Sequence, residues 1–187
     1  MNTGSAPTAI VIEKAAKISL MIFDVDGILT DGSLHFNADG EVMKTFNVLD
    51  GQGIKLLQQA GIQTAIISAR QSAIVSKRAS DLGITHVMQG IHDKYAAFVS
   101  LCQQLNVSFE ECGFIGDDVI DLPILLRVGF AASVPNGHSE VRSRVHYVTQ
   151  AGGGRGAARE VCDVILKAQH KYDAALVPFL SVSAHER

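Results

Sequence analysis

Short, almost wholly apolar runs recur along the chain, separated by longer stretches with helical spacing. The runs are ISLMIF (18–23), TAII (64–67), HVM (86–88), CGFI (112–115), GFAA (129–132) and HYV (146–148). None shows the polar alternation of a half-exposed strand, so each reads as a strand buried on both faces, as in a parallel sheet. Between them, residues 50–60 carry Ile54 and Leu57 on one side and stop at Gly61. Residues 72–82 carry Ile74, Val75, Ala79 and Leu82 and stop at Gly83. Glycine at such a position ends a helix. Residues 93–105 open with an acid and stop at Asn106, and residues 118–127 and 156–170 complete the helical set. This alternation predicts an α/β fold, a doubly wound parallel sheet with helices on both faces.

One stretch breaks the rhythm. Residues 33–36 (SLHF) and 42–46 (VMKTF) flank Asn37-Ala38-Asp39-Gly40 where a helix is due, which predicts a β-hairpin flap over about residues 31–48. No separate cap domain is expected. Residues 1–16 read as an N-terminal extension with a short helix from Ile10, residues 17–172 as one domain, and residues 173–187 as a C-terminal tail. Within that tail Val177, Phe179 and Leu180 are suited to packing on a neighbour.

Composition narrows the class. A chain of 187 residues that is 47% hydrophobic can bury a full core, and its formal charge of -3 argues against nucleic acid as the main partner. The longest apolar run near the start, Leu20–Phe23, is too short for a signal peptide or a membrane span. A soluble cytoplasmic protein without membrane association is expected. Cys102, Cys112 and Cys162 are odd in number and lack C-x-x-C spacing, so they read as buried thiols in a reducing compartment. The seven histidines show no ligand spacing.

Candidate chemistry lies at the strand ends, where open α/β sheets bind ligands. Asp24-Val25-Asp26-Gly27 follows the first run, Ser68-Ala69-Arg70 the second and Gly116-Asp117-Asp118 the fourth, while Asp93-Lys94 opens a helix. Several carboxylates around one crevice repel each other unless a cation is present, and hard oxygen donors suit Mg²⁺. If residue 24 is still in the strand, Asp24 and Asp26 point the same way. One could then attack phosphorus while the other handles the leaving group's proton. Gly27 would let the chain turn sharply and present backbone N–H groups to an anion. Lys94 and Ser68 would supply charge and a hydroxyl donor. A lysine just inside a helix N-terminus opposes the dipole, which argues for an anionic partner there. Arg70 and Arg78 are eight residues apart, a spacing that puts them on one helical face.

Asp24-Val25-Asp26-Gly27-Ile28-Leu29-Thr30-Asp31-Gly32, Ser68, Lys94 and Gly116-Asp117-Asp118-Val119-Ile120-Asp121 resemble, in order, the four motifs of the haloacid dehalogenase superfamily phosphatases. The short flap and the segment Lys44-Thr45-Phe46-Asn47-Val48-Leu49-Asp50-Gly51-Gln52-Gly53 resemble more closely the capless 3-deoxy-D-manno-octulosonate 8-phosphate (KDO 8-phosphate) phosphatases. Gly152-Gly153-Gly154-Arg155-Gly156-Ala157-Ala158-Arg159-Glu160 extends the resemblance to about residue 170. Ala69 stands where many relatives have glycine, at a position expected to contribute backbone.

The resemblance implies roles. Asp24 would be the nucleophile and Asp26 the acid and base. Mg²⁺ would be held by Asp24, the main-chain carbonyl of Asp26 and Asp117, with Asp118 and Asp121 behind them or as alternative ligands. Ser68 and Lys94 would bind phosphate. Asn47, Val48, Leu49, Asp50, Gly51, Lys55, Arg70 and Arg78 would line the sugar-acid pocket, Arg70 facing a substrate carboxylate. The implied reaction is hydrolysis of KDO 8-phosphate in lipopolysaccharide precursor biosynthesis. The implied assembly is a homotetramer in which flap and tail close a neighbour's site, with Arg155 a candidate for that role. A nine-carbon 2-keto sugar-acid phosphate is the alternative substrate. A non-catalytic oligomeric module or a receiver-like domain is the alternative class. Gly152 to Ala157 superficially matches a dinucleotide fingerprint but leaves too little chain for the partnering βαβ unit.

Overall fold

The computed structural model describes residues 7–180. Its strands are β1 (Leu20–Phe23), β2 (His35–Asn37), β3 (Gly40–Met43), β4 (Gln63–Ile67), β5 (His86–Met88), β6 (Cys112–Ile115), β7 (Phe130–Ser133) and β8 (Tyr147–Val148). Its helices are α1 (Ala9–Ala15), α2 (Val48–Gln59), α3 (Ala73–Leu82), α4 (Lys94–Leu105), α5 (Leu122–Leu125), α6 (Ser139–Arg142), α7 (Ala157–Ala168) and α8 (Tyr172–Leu180). Six strands form a parallel sheet in the order β5-β4-β1-β6-β7-β8, and β2 and β3 form a separate antiparallel pair.

The apolar runs of the sequence are these six strands, and the absence of polar alternation has a direct cause. Side chains alternate across the sheet, and both faces are covered. Met21, Phe23, Ile66, Phe130 and Ala132 pack with residues of α1, α2, α3 and α7. Leu20, Ile22, Ala65, Ile67, Phe114 and Ala131 face α4, α5 and α6. Each large side chain buried in this way contributes about 1.5–3 kcal/mol. Helix ends follow the chain's own signals. Asn47, Ser72 and Asp93 cap the starts of α2, α3 and α4, and Gly83 and Asn106 take left-handed conformations after α3 and α4.

Several expectations need correction. The helix expected over 118–127 is a 3₁₀ turn, Val119–Asp121, followed by the four residues of α5. Asp118 and Asp121 cap that turn reciprocally, and Pro123 has no N–H to continue a longer ladder. Arg70 precedes Ser72, the cap of α3, so it shares no helical face with Arg78. Helices α6 and α8 were not anticipated. Part of the expected tail is α8, whose Tyr172 and Ala175 pack on the core, while residues 181–187 and 1–6 lie outside the described residues.

The flap closes more tightly than expected. Only Ala38 and Asp39 separate β2 from β3, because the Asn37 side chain accepts from the Asp39 amide at 2.9 Å and Gly40 adopts φ +125°. Among the described residues this hairpin is the one insertion into the β-α alternation, and no cap domain is present. From β1 the chain passes outward to β4 and β5, then returns to the other side of β1 as β6. The carboxyl ends of β1 and β6 therefore border a topological switch point, where such sheets bind ligands.

Candidate active site at the switch point

Asp24 directly follows β1 and continues its pairing, its amide donating to the Ile115 carbonyl at 3.0 Å. The chain then turns tightly, with the amides of Ile28, Leu29 and Thr30 all donating to the Val25 carbonyl. Gly27 adopts φ +89° here, and a Cβ on it would collide with the Asp117 carboxylate. Its amide donates to the Thr30 hydroxyl at 3.4 Å, within the loop. From the far side Gly153 packs on the Gly27 carbonyl, and the Gly154 amide donates to the Ile28 carbonyl at 2.8 Å. The glycine run is a brace for the acid loop.

Lys94, the first residue of α4, is buried, and its Nζ donates to Asp24 Oδ1 at 2.8 Å and Asp121 Oδ1 at 2.7 Å. Asp121 Oδ2 accepts from the amides of Asp117 and Asp118 at 3.1 and 3.4 Å. Both Asp121 oxygens are thus engaged in holding Lys94 and the turn that carries Asp117. Asp118 is exposed and spends its carboxylate on the Val119 amide at 2.7 Å. Carboxylate oxygens of Asp24, Asp117 and Asp121 lie within 4.8 Å of one another.

Buried Asp24 and Asp121 and half-buried Asp117 share one ammonium, and their titration reflects the imbalance. Burial, then repulsion from Asp121, raises Asp24 to about 7 against the pull of Lys94. Burial, then Asp121 and Asp118, raises Asp117 to about 6. Burial also raises Asp121. Burial disfavours charge on Lys94 as well, but Asp24 and Asp121 outweigh it and hold the ammonium protonated. Such a donor set fits a hard divalent cation, which would relieve the repulsion. With both Asp121 oxygens engaged, the carboxylates of Asp24 and Asp117 are the donors best placed to meet one.

Asp26 is half-buried beside this cluster. Lys44, arriving from the flap, forms an ion pair with its Oδ1, and Arg70 Nε lies 3.7 Å from its Oδ2. Arg70 Nε is buried without a hydrogen-bond partner, and the guanidinium stacks 5.4 Å from the Phe36 ring of the flap. Ser68 sits buried at the end of β4, its hydroxyl accepting from the Arg70 amide at 3.3 Å.

Of the other residues expected to line a pocket, Asp50, Arg78 and Asn47 have partners of their own. Asp50 is buried, and its oxygens accept from the amides of Gly156 at 3.3 Å and Arg159 at 2.8 Å. It caps α7, whose own N-cap glycine has no side chain to do so. Arg78 donates to the Asn47 carbonyl at 3.4 Å and covers the Phe46 ring, leaving Gly51 no room for a side chain. Asn47 caps α2 and reaches the Gly154 carbonyl at 3.5 Å. Val48, Leu49 and Lys55 are exposed on α2, and Lys55 pairs with none of the acids above. Arg155 pairs with Asp31 of its own chain at 3.6 Å. Lys44 and Glu41 were missed as site residues; the one local signal was their E-x-x-K spacing in a half-exposed hairpin.

Comparison with known proteins identifies the family. The haloacid dehalogenase-like hydrolase family matches residues 79–160. The 3-deoxy-D-manno-octulosonate 8-phosphate phosphatase of Yersinia pestis is 46% identical over 165 residues, 88% of each chain. The crystal structure of the Moraxella catarrhalis enzyme of that name, in complex with magnesium, phosphate and KDO, superposes with a TM-score of 0.88 at 46% identity, covering 90% of this chain and 97% of that one. The cobalt-bound Haemophilus influenzae phosphatase gives 0.84 at 43% identity, covering 86% and 94%. The chain belongs to the KDO 8-phosphate phosphatase family of haloacid dehalogenase-like hydrolases.

Proposed function

We propose that the chain hydrolyses KDO 8-phosphate to KDO and inorganic phosphate in a Mg²⁺-dependent reaction. The observation that carries this reading is the Asp24–Lys94–Asp121 cluster at the switch point, in a chain 46% identical to a KDO 8-phosphate phosphatase. Asp24 attacks phosphorus as its carboxylate, and the bond from phosphorus to the sugar oxygen breaks. Asp26, as the acid, gives that oxygen its proton. Asp26 then takes a proton from water, whose oxygen attacks the phosphoryl group and returns Asp24 to a carboxylate. Lys94 keeps Asp24 oriented and, with Ser68, offers donors to phosphate oxygens. Asp24, Asp117 and the Asp26 carbonyl would hold Mg²⁺, which when bound supplies positive charge against the phosphoryl oxygens. The Arg70 guanidinium, whose Nε makes no hydrogen bond and only a 3.7 Å ion pair with Asp26, supports an anionic group on the substrate, as a 2-keto sugar acid has.

On the same reading the enzyme is a homotetramer acting in the cytoplasm on the way to lipopolysaccharide, with flap and tail closing a neighbouring site. Exposed Leu34, Phe36, Val42 and Met43 on the flap support that packing. No helix among the described residues is long and apolar enough to cross a membrane. Light scattering of the purified chain tests the assembly. Phosphate release from a panel of sugar phosphates, with Mg²⁺ and with EDTA, tests the activity. The eight-carbon acid is expected to give the highest kcat/KM, and a nine-carbon acid preferred over it would overturn the substrate assignment.

A further inference from the structure

Lys44 is the least expected buried residue near the site. Its neighbours Val42, Met43 and Thr45 are exposed, yet its own side chain is 2% exposed. A lysine is buried to this degree only when its charge is met. Two carboxylates meet it: Asp26 through Oδ1, and Glu41 Oε1 at 3.0 Å. The other Glu41 oxygen accepts from the Ser72 hydroxyl, and Ser72 is the N-cap of α3. A continuous chain of contacts, Asp26 to Lys44 to Glu41 to Ser72, therefore ties the flap to the start of the helix that follows Ser68 and Arg70.

We propose that Lys44, backed by Glu41, is a positioning residue that fixes the Asp26 carboxylate for its work on the leaving group. The inference rests on the acid role assigned above to Asp26. With Oδ1 held by Lys44, Oδ2 is the oxygen left for the leaving group, next to Arg70 at 3.7 Å. A carboxylate on a loop otherwise rotates about two bonds, and proton transfer in the transition state tolerates little misplacement. Glu41 limits the reach of Lys44 in turn, because its second oxygen is anchored on Ser72. The arrangement makes the flap part of the chemistry, and its charged residues do more than shield the crevice from water.

The test separates positioning from simple flap anchoring by changing the leaving group. A sugar alkoxide needs a proton as it departs, whereas p-nitrophenolate leaves without one. Single-turnover rates of phosphate transfer from KDO 8-phosphate and from p-nitrophenyl phosphate are measured with Mg²⁺ for the full chain, Lys44→Met, Lys44→Arg and Glu41→Gln. In Lys44→Met the sugar-phosphate rate is expected to fall about 100-fold. The ratio of the two rates should fall by most of that factor. Lys44→Arg, which retains a cation, should recover to within about tenfold of the parent. Glu41→Gln keeps both Lys44 and Asp26 and carries the same ratio test if Lys44→Met does not fold. Equal losses on both substrates, or a sugar-phosphate rate within about threefold of the parent, would overturn the proposal. A parent chain that releases no phosphate from KDO 8-phosphate is a different result, and it removes the reading on which the proposal rests.

Discussion

Lys94 Nζ lies 2.8 Å from Asp24 Oδ1, inside a pocket that leaves the lysine 3% exposed. Among the described residues the ammonium is the only cation directly on the three-acid cluster, since Lys44 and Arg70 pair with Asp26 instead. Lys94→Met leaves Asp24 and Asp121 buried without a counter-charge. Breaking such a pair from one side costs about 3–5 kcal/mol before the acids respond by taking up protons. Denaturant unfolding should therefore show a clear loss of stability, and phosphate release should fall at least about 10³-fold. A variant as stable and active as the parent would show that Lys94 is ornamental.

The raised acids make stability depend on pH in a defined sense. Folding raises Asp24 from 3.8 to about 7 and Asp117 from 3.8 to about 6, chiefly by burial. The folded state holds its protons longer, so the stability they contribute is complete at low pH and is lost as pH rises from about 4 to 7. Metal binding needs the ionised forms. The rise in Tm on adding Mg²⁺ should grow between pH 5.5 and pH 8, and Asp117→Asn should raise the metal-free Tm while abolishing the Mg²⁺ response. Equal Mg²⁺ responses at both pH values would contradict the cluster's electrostatics.

Asp50 distinguishes capping from substrate contact. Asp50→Ala removes the acceptors of the Gly156 and Arg159 amides. It should cost about 1–2 kcal/mol in urea unfolding and leave KM within about twofold of the parent. A large increase in KM with unchanged stability would restore it to the substrate pocket.

Gly27 and Gly32 form a matched pair for the acid loop. Both have positive φ, +89° and +84°, but only at Gly27 would a Cβ strike Asp117. Each alanine variant pays for the backbone conformation, roughly 1 kcal/mol. Gly27→Ala should in addition lose the Mg²⁺-induced rise in Tm, which Gly32→Ala should keep. Loss of the response in both would place its origin in the loop conformation alone.

The sheet was legible because its central strands, β4, β1, β6 and β7, are covered on both faces and so write themselves as apolar runs, which the half-exposed edge strands β5 and β8 do only in part. The acids were legible because parallel strands in this order deliver their carboxyl ends to one edge. What could not be read was how the side chains pair. Asp50 looks like an exposed polar residue at a helix start, and only the fold brings it to the amide of Arg159, whose helix has no capping side chain of its own. Lys44 and Glu41 look like the polar positions of a solvated hairpin, and their burial depends on Asp26 and on Ser72, 31 residues beyond Glu41. Helix α8 was obscured by Pro178 inside a nearly uniform apolar run, where no periodicity separates a packed face from a free one.

Asp24 is the residue that carries the phosphoryl group in the proposed reaction. Acid quenching of the full chain during turnover of KDO 8-phosphate with Mg²⁺, followed by peptide mass mapping, reads this directly. A phosphoryl group is expected on Asp24, and in Asp24→Asn it should disappear together with phosphate release. Turnover without any phosphorylated Asp24, or undiminished phosphate release by Asp24→Asn, would contradict that role.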